Sequence, residues 1–267
     1  MRLATFNLLS GRSLQDGRAD AEVLAAAVRT LDADVLALQE VDRHQPRSGG
    51  VDQAELAASA MGALEHRFVP LVRGTPGTKD WQPVRTHVSD GLSEGISEGL
   101  SDGQPTYGIA LATRRRVESW HVLRLGRARG RYPIMLPTTP PRVVWIPDEP
   151  RAAIVAVLAE PRMTIAATHL SFVPGVNVVQ LRRLRTALRR MPAPRVLLGD
   201  LNLPGGLPAR VLGWRALAVG PTFPSPAPRL QIDHALGDAV PEGAEHSPVI
   251  AHLPLSDHRA LSVEVDL

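Results

Sequence analysis

The chain ends in Ser256-Asp257-His258 and the apolar run Arg259-Ala260-Leu261-Ser262-Val263-Glu264-Val265-Asp266-Leu267. The run is typical of a β-strand, so the acidic–basic pair stands where this strand begins. Other polar residues stand where short apolar runs stop, namely Asn7, Glu40, His169 and the pair Asp200 and Asn202. Strands that lie side by side bring such ends to one edge of a sheet. We therefore expect these distant residues to become neighbours.

The composition is that of a soluble globular protein. At 267 residues the chain is long enough to bury a sizeable core in one large domain. It has no cysteine, which excludes disulfides and thiolate metal sites. The formal net charge is only +3, and Lys79 is the single lysine beside many arginines. A charge this small gives weak support for nucleic acid as a partner.

The chain carries no targeting or membrane signal. Its first apolar stretch is too short for a signal peptide, and no run of about 18 apolar residues predicts a membrane span. We therefore expect a cytoplasmic monomer without an integral membrane segment.

Apolar periodicity predicts alternating strands and helices. The predicted strands are 2–6, 35–39, 107–113, 151–158, 163–168, 196–199, 230–236 and 259–267, and the predicted helices are 20–31, 52–61 and 177–191. We expect loops at 126–150, at 204–228 and before Ser256. A flexible insertion is expected at about 73–105, where a serine-containing near-repeat occupies 89–103. Together these elements predict a layered α/β (α+β) domain that spans residues 1–267.

The predicted edge gathers four carboxylates, those of Glu40, Asp200, Asp233 and Asp257. Like charges this close repel one another unless a cation or a protonated histidine compensates them. An oxygen-rich set that also includes Asn7 and Asn202 suits Mg²⁺ or Mn²⁺ better than zinc, which favours histidine and cysteine. Such an ion commonly serves phosphate-processing sites.

Two histidines have chemical roles in this arrangement. Hydrolysis of a phosphodiester requires a group that takes a proton from water and donors for the non-bridging oxygens. His258 with Asp233 behind it fits a base with an orienting carboxylate. His169 fits a donor to a phosphate oxygen.

Seven short motifs resemble those of the endonuclease/exonuclease/phosphatase superfamily, which includes deoxyribonuclease I, exonuclease III, neutral sphingomyelinases and inositol polyphosphate 5-phosphatases. The motifs are Thr5-Phe6-Asn7, Gln39-Glu40-Val41-Asp42, Tyr107-Gly108-Ile109-Ala110-Leu111, Thr168-His169-Leu170, Gly199-Asp200-Leu201-Asn202, Ile232-Asp233-His234 and Ser256-Asp257-His258. Each motif is weak alone, but all seven occur in the family's order and cover nearly the whole chain.

The resemblance implies a four-layer α/β/β/α sandwich of two mixed sheets, similar to deoxyribonuclease I. It also implies that Glu40 is the principal metal carboxylate, with Asn7 and Asp257 beside it. The implied activity is that of a Mg²⁺- or Mn²⁺-dependent phosphoric ester hydrolase. Whether one metal or two are bound stays open.

The resemblance assigns the remaining site residues to catalysis. Asp200 and Asn202 would orient the attacking water and contact the phosphate, and His169 would stabilise the transition state. His258, paired with Asp233, would be the general base or its electrostatic equivalent. Members of the family differ in whether the aspartate or the histidine takes the proton, and the sequence leaves both alternatives open.

Family resemblance implies phosphoester hydrolysis and not a particular leaving group. We favour a nuclease-like phosphodiesterase. A phospholipid or inositol-phosphate phosphoesterase is the alternative, since 134–137 and 143–147 could form a loop that contacts a membrane. A binding module of the same fold and a zinc hydrolase that uses both histidines are the rivals from other classes.

Overall fold

The structure is a computed structural model, and the residues that it describes are 1–76, 78, 81–84, 92–94, 103–136 and 142–267. The α-helices within these ranges are α1 (Ala21–Leu31), α2 (Gln53–Met61), α3 (Val176–Leu188) and α4 (Leu207–Leu212). The strands are β1 (Arg2–Asn7), β2 (Val35–Arg43), β3 (Glu65–Arg73), β4 (Gln82–Pro83), β5 (Ser93–Glu94), β6 (Thr106–Thr113), β7 (Val117–Gly126), β8 (Arg131–Leu136), β9 (Arg142–Pro147), β10 (Arg151–Leu158), β11 (Met163–His169), β12 (Arg195–Asp200), β13 (Arg215–Ala216), β14 (Asp233–Asp238), β15 (Glu245–Ala251) and β16 (Ala260–Val265).

Two mixed sheets form the centre of the molecule. The first sheet has the order β15-β16-β1-β2-β6-β3-β4, and the second has the order β13-β14-β12-β11-β10-β7-β5. In the first sheet β1 and β2 are parallel, and in the second β11 and β12 are parallel. Their other neighbours run antiparallel, so the carboxyl ends of these four strands define one edge of each sheet.

Three apolar clusters stack these elements into four layers. The cluster between the sheets joins Leu3 and Val35 of the first sheet to Ile154 and Ile165 of the second. A second cluster packs α1 and α2 against the outer face of the first sheet, and a third packs α3 and α4 against the outer face of the second. This is the α/β/β/α sandwich that the resemblance implies.

Among the described residues, no helix has the length and apolar character needed to cross a membrane.

Strand alternation decides which side chains face the second sheet. Leu3 of β1 lies in the core between the sheets, whereas Ala4 and Phe6 lie in the core beneath the helices. Because successive residues of a strand point to opposite faces, Asn7 at the end of β1 shares the inner face with Leu3. The same alternation positions the polar residues at the ends of the second sheet's strands.

Local sequence accounts for the ends of the first two helices. The Asp20 side chain accepts hydrogen bonds from the backbone N–H groups of Glu22 and Val23, and it caps α1 as the sequence predicts. Asp52 caps α2 in the same way, and α2 ends at Gly62, which adopts a left-handed conformation. Both helices therefore begin and end where short-range chemistry places them.

Three loop predictions are wrong. The segment 126–150 contains the hairpin β8–β9, which forms a two-stranded sheet of its own. The segment 204–228 contains α4 and the short strand β13, so the described chain has four α-helices rather than the three predicted. The segment before Ser256 contains β15, an edge strand of the first sheet. Prolines obscured these elements in the sequence, since proline is tolerated in edge strands and in the first turn of a helix.

Two strands received no prediction, and one was predicted too early. β3 and β7 each pair along most of their length with a neighbour in a sheet, but neither has a clear apolar alternation. β14 begins at Asp233, whereas the prediction began at residue 230. Most of the insertion predicted at 73–105, including most of its serine-containing repeat, lies outside the described residues; the described parts include β4, which pairs with β3, and β5, which pairs with β7.

We expect Gly199→Ala to destabilise the fold strongly. Gly199 has φ +149, and a Cβ at this position would lie 2.0 Å from the backbone oxygen of Thr168 on the paired strand β11. A clash with backbone in a conformation reserved for glycine should lower the free energy of unfolding by about 3 kcal/mol or more. Chemical denaturation of the metal-free protein measures this loss.

Gly206→Ala is the matched control, because a Cβ there meets nothing within 4 Å and the residue has φ −75. It should leave the free energy of unfolding nearly unchanged. Equal stability of the Gly199→Ala protein would show that the β11–β12 contact does not constrain this position.

Candidate active site

The second sheet brings three polar side chains into register at its edge. Asp200, the last residue of β12, lies opposite His169 on one neighbouring strand and opposite Asp233 on the other. Within β12 the residues Val196 and Leu198 face the core between the sheets, so Asp200 continues that inner face. His169 and Asp233 also follow the inner-face alternation of their strands, and all three are buried.

An irregularity in β2 directs Glu40 toward this edge. The pairing of β2 with β6 shifts register between Leu38 and Val41, and Glu40 has φ +55. Leu38 and Val41 both pack in the core beneath the helices, so the regular alternation is broken between them. A bulge of this kind re-aims the side chain of a strand residue. It removes Glu40 from the helix side, where strict alternation would have placed it.

The amide of Asn7 connects the two sheets. Its Nδ2 donates to Glu40 Oε1 and to Asp200 Oδ2, and both distances are 3.1 Å. Its Oδ1 accepts a hydrogen bond from the backbone N–H of Leu9 at 3.1 Å. One side chain thus holds a carboxylate of the first sheet and a carboxylate of the second sheet around a single nitrogen atom.

His258 lies between two carboxylates of the second sheet. Its Nδ1 is 2.9 Å from Asp233 Oδ2, and its Nε2 is 3.8 Å from Asp200 Oδ2. The contacts from Glu40 through Asn7 and Asp200 limit the distance between the Glu40 carboxylate and the His258 ring to about 10 Å at most. The sequence prediction that these groups share one site is consistent with this geometry.

The turn before β16 positions His258 through its backbone. Ser256 has φ +72, its Oγ donates to the backbone oxygen of Asn7 at 2.6 Å, and the same Oγ accepts from the backbone N–H of His258 at 3.0 Å. Asp257 is half-buried, and its carboxylate makes no hydrogen bond to another described residue. The two adjacent side chains can therefore serve different parts of the site, as the irregular turn allows.

His169 and Asn202 form the other side of the cluster. His169 Nε2 is 3.4 Å from Asp200 Oδ2 and 3.3 Å from Asn202 Nδ2. Asn202 has φ +49, and its backbone N–H donates to Asp200 Oδ1 at 2.9 Å. These contacts fix both oxygens of the Asp200 carboxylate and hold the Asn202 amide beside the imidazole.

Burial and neighbouring charges shift the pKa values of the three central groups. Burial raises the pKa of Asp200 to about 7, although the charge on His258 opposes this rise. Burial alone would lower the pKa of His258, but the charge and hydrogen bond of Asp233 outweigh it, and with Asp200 they raise that pKa to about 10. Burial, aided by the charges of Arg151 and His258, lowers the pKa of His169 well below its ordinary value. At neutral pH His258 is therefore charged and His169 is neutral.

The donor chemistry of the cluster fits a divalent cation that prefers oxygen. Ligand atoms of Asp200, Asp233 and His258 lie within 4.8 Å of one another, but Asp233 and the Nδ1 of His258 already bond each other. On the other side of Asn7, the half-buried Glu40 carboxylate and the half-buried Asp257 retain oxygens that a cation can reach. Carboxylate and amide oxygens are the ligands of Mg²⁺ and Mn²⁺.

Three residues near the cluster were not assigned a role from the sequence. The Phe223 ring packs 5.0 Å from the His258 ring, and Ser256 connects His258 to β1. Arg151 is buried at the first position of β10, and its charge acts on His169. The sequence offered one signal for Arg151, because a charged residue stands at the start of an apolar run. In the structure that run is the wholly buried strand β10. No comparable signal marked Phe223.

The sequence of the chain matches a known protein family over most of its length. A sequence profile of the endonuclease/exonuclease/phosphatase family matches residues 4–258. The chain belongs to this family. Its superfamily comprises metal-dependent phosphoesterases, among them nucleases and phosphatases. A comparison with curated proteins gives no match.

Solved structures with this fold come from several sources. An endonuclease/exonuclease/phosphatase protein from Beutenbergia cavernae is 20% identical, with a TM-score of 0.58, and the match covers 99% of this chain and 71% of that chain. A mannosyl-6-phosphatase from Bacteroides thetaiotaomicron is 14% identical, with a TM-score of 0.59, and the match covers 100% of both chains. The endonuclease domain of the telomere-specific retrotransposon TRAS1 is 13% identical, with a TM-score of 0.51 and coverage of 100% and 98%. At these levels of sequence identity the similarity shows that the chain has the same fold as these proteins.

We expect His258 in the metal-free protein to keep its charge to high pH. Its pKa is about 10 and its ordinary value is 6.5, so the stability that it contributes is fully present below pH 6.5 and is lost as the pH rises through about 10. Asp233→Asn removes the charge that raises this pKa and should bring it down. Titration of the imidazole signals by NMR measures both values.

His252→Ala, at an exposed position, is the control. It removes one imidazole signal from the NMR spectrum and should leave the titration of His258 unchanged. If His258 titrated near 6.5 in the parent protein, the Asp233–His258 pair would not be the charged pair that the geometry indicates.

Proposed function

We propose that the protein is a Mg²⁺- or Mn²⁺-dependent phosphoesterase that hydrolyses a phosphodiester by in-line attack of water, in the manner of a nuclease. The observation that carries this proposal is the position of the Asp200 carboxylate. It lies 3.1 Å from Asn7, 3.4 Å from His169 and 3.8 Å from His258. A carboxylate surrounded by an amide and two imidazoles can orient a water molecule and take its proton.

We propose that Glu40 is the principal metal ligand, with Asn7 and Asp257 beside it. Bound there, the ion would offset the charge of the phosphate and stabilise the oxygens of an in-line displacement. The Asn7 amide keeps the Glu40 carboxylate and the Asp200 carboxylate at fixed positions around one nitrogen. The residues that bind the cation and those that activate water are thus held as one unit.

Asp200 suits the role of proton acceptor better than His258 does. A base works best when its pKa is near the working pH, and burial raises the pKa of Asp200 to about 7. The raised pKa of His258 keeps that ring charged at neutral pH. His258, held by Asp233, is therefore assigned to electrostatic stabilisation of the anionic phosphate.

His169 and Asn202 are assigned to the phosphate oxygens. Both lie beside Asp200, and their Nε2 and Nδ2 atoms are 3.3 Å apart. Neutral N–H donors that are already positioned stabilise charge as it develops on non-bridging oxygens. Because burial lowers the pKa of His169, its ring is neutral at neutral pH and has one N–H group that can donate a hydrogen bond.

The structure contains one observation that favours the lipid-directed alternative. In the hairpin β8–β9, Val143 and Trp145 are 58% and 59% exposed, and exposed apolar residues of this size often mark contact surfaces. A small phosphomonoester is a further alternative, since a mannosyl-6-phosphatase shares the fold. We keep a nuclease-like substrate as the first proposal and treat lipid and sugar phosphates as outcomes of the substrate test.

We further propose that residues 1–267 act as one domain and that the protein works as a cytoplasmic monomer. The single domain is supported by the core that joins both sheets and by the site to which both sheets contribute. Size-exclusion chromatography with light scattering tests the monomer.

We expect Glu40→Gln and His258→Ala each to lower the hydrolysis of bis-p-nitrophenyl phosphate by about 100-fold or more in the presence of Mg²⁺ or Mn²⁺. The first change removes the proposed metal carboxylate, and the second removes the charge that faces the phosphate. Steady-state kinetics with each ion measures the loss. Addition of EDTA to the parent protein should abolish turnover.

Glu242→Gln and His252→Ala are matched controls at exposed positions and should keep the parent rate. Full activity of both site variants would reject the assignments. A panel of plasmid DNA, abasic DNA, RNA, sphingomyelin, phosphatidylinositol phosphates and a sugar phosphate then identifies the substrate, and cleavage of lipid or sugar phosphate without cleavage of DNA would overturn the nuclease-like proposal.

We expect kcat/KM to rise with pH as Asp200 loses its proton and to fall as His258 loses its charge. The rise should be centred at or below about 7, because a bound cation lowers the pKa of a nearby carboxyl, and the fall should lie toward about 10. Asp233→Asn should move the fall to lower pH. An alkaline limb that stays in place in this variant would show that charged His258 is not required.

A further inference from the structure

An arginine-lined cavity adjoins the proposed catalytic edge of the second sheet. It has a volume of about 490 Å³, and its lining comes from the end of β4, the end of β7, the start of β10 and Arg183 of α3. Five arginines line it, namely Arg124, Arg127, Arg129, Arg151 and Arg183. Among the described residues that line this arginine cavity there is no aspartate or glutamate.

Among the described residues, two carboxylates near the cavity pair with Arg151. Asp148 Oδ1 is 3.6 Å and Glu149 Oε2 is 3.9 Å from the Nη2 of Arg151. The remaining contacts of Asp148 are with the backbone N–H of Ala128 and with Ser171 Oγ. Both carboxylates therefore lie near Arg151, and neither lines the cavity.

Two of the other guanidinium groups bond only to backbone oxygens among the described residues. Arg124 Nη1 donates to the oxygen of Pro70 at 3.2 Å, and Arg127 Nη1 donates to the oxygen of Asp148 at 3.4 Å. A guanidinium has five N–H donors, so each keeps several that are not used. Arg129 is exposed, and Arg183 lies half-buried on α3.

Clustered cations without counter-charges repel one another, and burial increases the repulsion. Burial lowers the pKa of the Arg124 guanidinium, because the charged group loses hydration there. An anion that enters the cavity would remove the repulsion and accept charge-assisted hydrogen bonds. The arrangement is thus suited to an anion with several oxygens, of which phosphate is the one that the proposed reaction supplies.

Arg151 connects the cavity to the catalytic edge. β10 begins at Arg151 and pairs antiparallel with β11, which ends at His169, so both residues lie at the same edge on neighbouring strands. The charge of Arg151 acts on His169, and the charge of Glu40 acts on Arg151. A substrate held at the catalytic edge would therefore have the arginine cavity directly beside it.

We propose that the arginine cavity binds a second phosphate group of the substrate, so that the enzyme acts on molecules that carry at least two phosphates. This proposal rests on the proposed phosphoesterase function, which it makes more specific. The second phosphate could come from the next nucleotide of a nucleic acid strand or from a small bisphosphorylated molecule. Both sources present the same group to the cavity.

The first test measures binding and requires no turnover. Metal-free protein in EDTA at low ionic strength is titrated with inorganic phosphate, and chemical shifts or calorimetry give Kd. Any binding at the catalytic edge, where charged His258 lies, is the same in the parent and in the variants, so a change in Kd reports on the cavity. The double variant Arg127→Gln/Arg129→Gln, at two exposed positions, should weaken binding about 10-fold or more.

Arg182→Gln/Arg189→Gln is the matched control, because it removes two exposed charges from α3 and its C-cap without touching the cavity. Its Kd should stay within about twofold of the parent value. An unchanged Kd in the cavity variant, or an equal loss in both variants, would overturn the proposal. The binding measurement tests the cavity independently of whether the protein hydrolyses any phosphoester.

The second test uses catalysis to identify the source of the phosphate. With Mg²⁺, the cavity variant should hydrolyse bis-p-nitrophenyl phosphate, which has one phosphate, at the parent rate. Its KM should rise about 10-fold or more for a short 5′-phosphorylated oligothymidylate or for a sugar bisphosphate. The substrate that shows the rise identifies the source, whereas unchanged KM values for both would contradict a substrate role of the cavity. Absence of all hydrolysis in the parent would instead reject the proposed function.

Discussion

The site depends on the alignment of two sheets that pack face to face. Asn7 reaches Asp200, and His258 reaches Asp233, and each contact joins a segment of the first sheet to the second sheet. These polar contacts continue the inner faces whose apolar residues form the core between the sheets. A shift of one residue in the pairing register of a strand would turn its side chains to the opposite face. The apolar packing thus fixes the positions of the polar groups at its edge.

Electrostatic balance explains why this edge combines carboxylates with histidines. Asp200 and Asp233 are buried, and buried negative charges are unfavourable without compensation. His258 supplies one positive charge between them, and Arg151 supplies another near His169. The half-buried Glu40 remains on the far side of Asn7. A divalent cation would neutralise the carboxylate charge on that side of Asn7, and the arginine cavity near Arg151 presents the opposite charge.

Strand periodicity made much of the fold predictable. The buried runs that end at Asn7, His169 and Asp200 form the strands that the sequence predicts, because a continuous apolar run or a strict alternation is read locally. The hairpin β8–β9 and the edge strand β15 were missed because half-exposed strands need no apolar pattern and tolerate proline. The bulge at Glu40 was also beyond prediction, since it is defined by pairing with β6.

The sequence by itself determined the ends of β1, β11 and β12, the helix caps at Asp20 and Asp52, and the set of residue types that can bind a cation and a phosphate. These follow from interactions between residues close in the chain. Only the tertiary structure decided that one Asn7 amide serves two carboxylates, that His258 is held charged by Asp233, and that separate arginines share one cavity. Those features arise from distances between residues remote in sequence, and only the packing of the two sheets sets such distances.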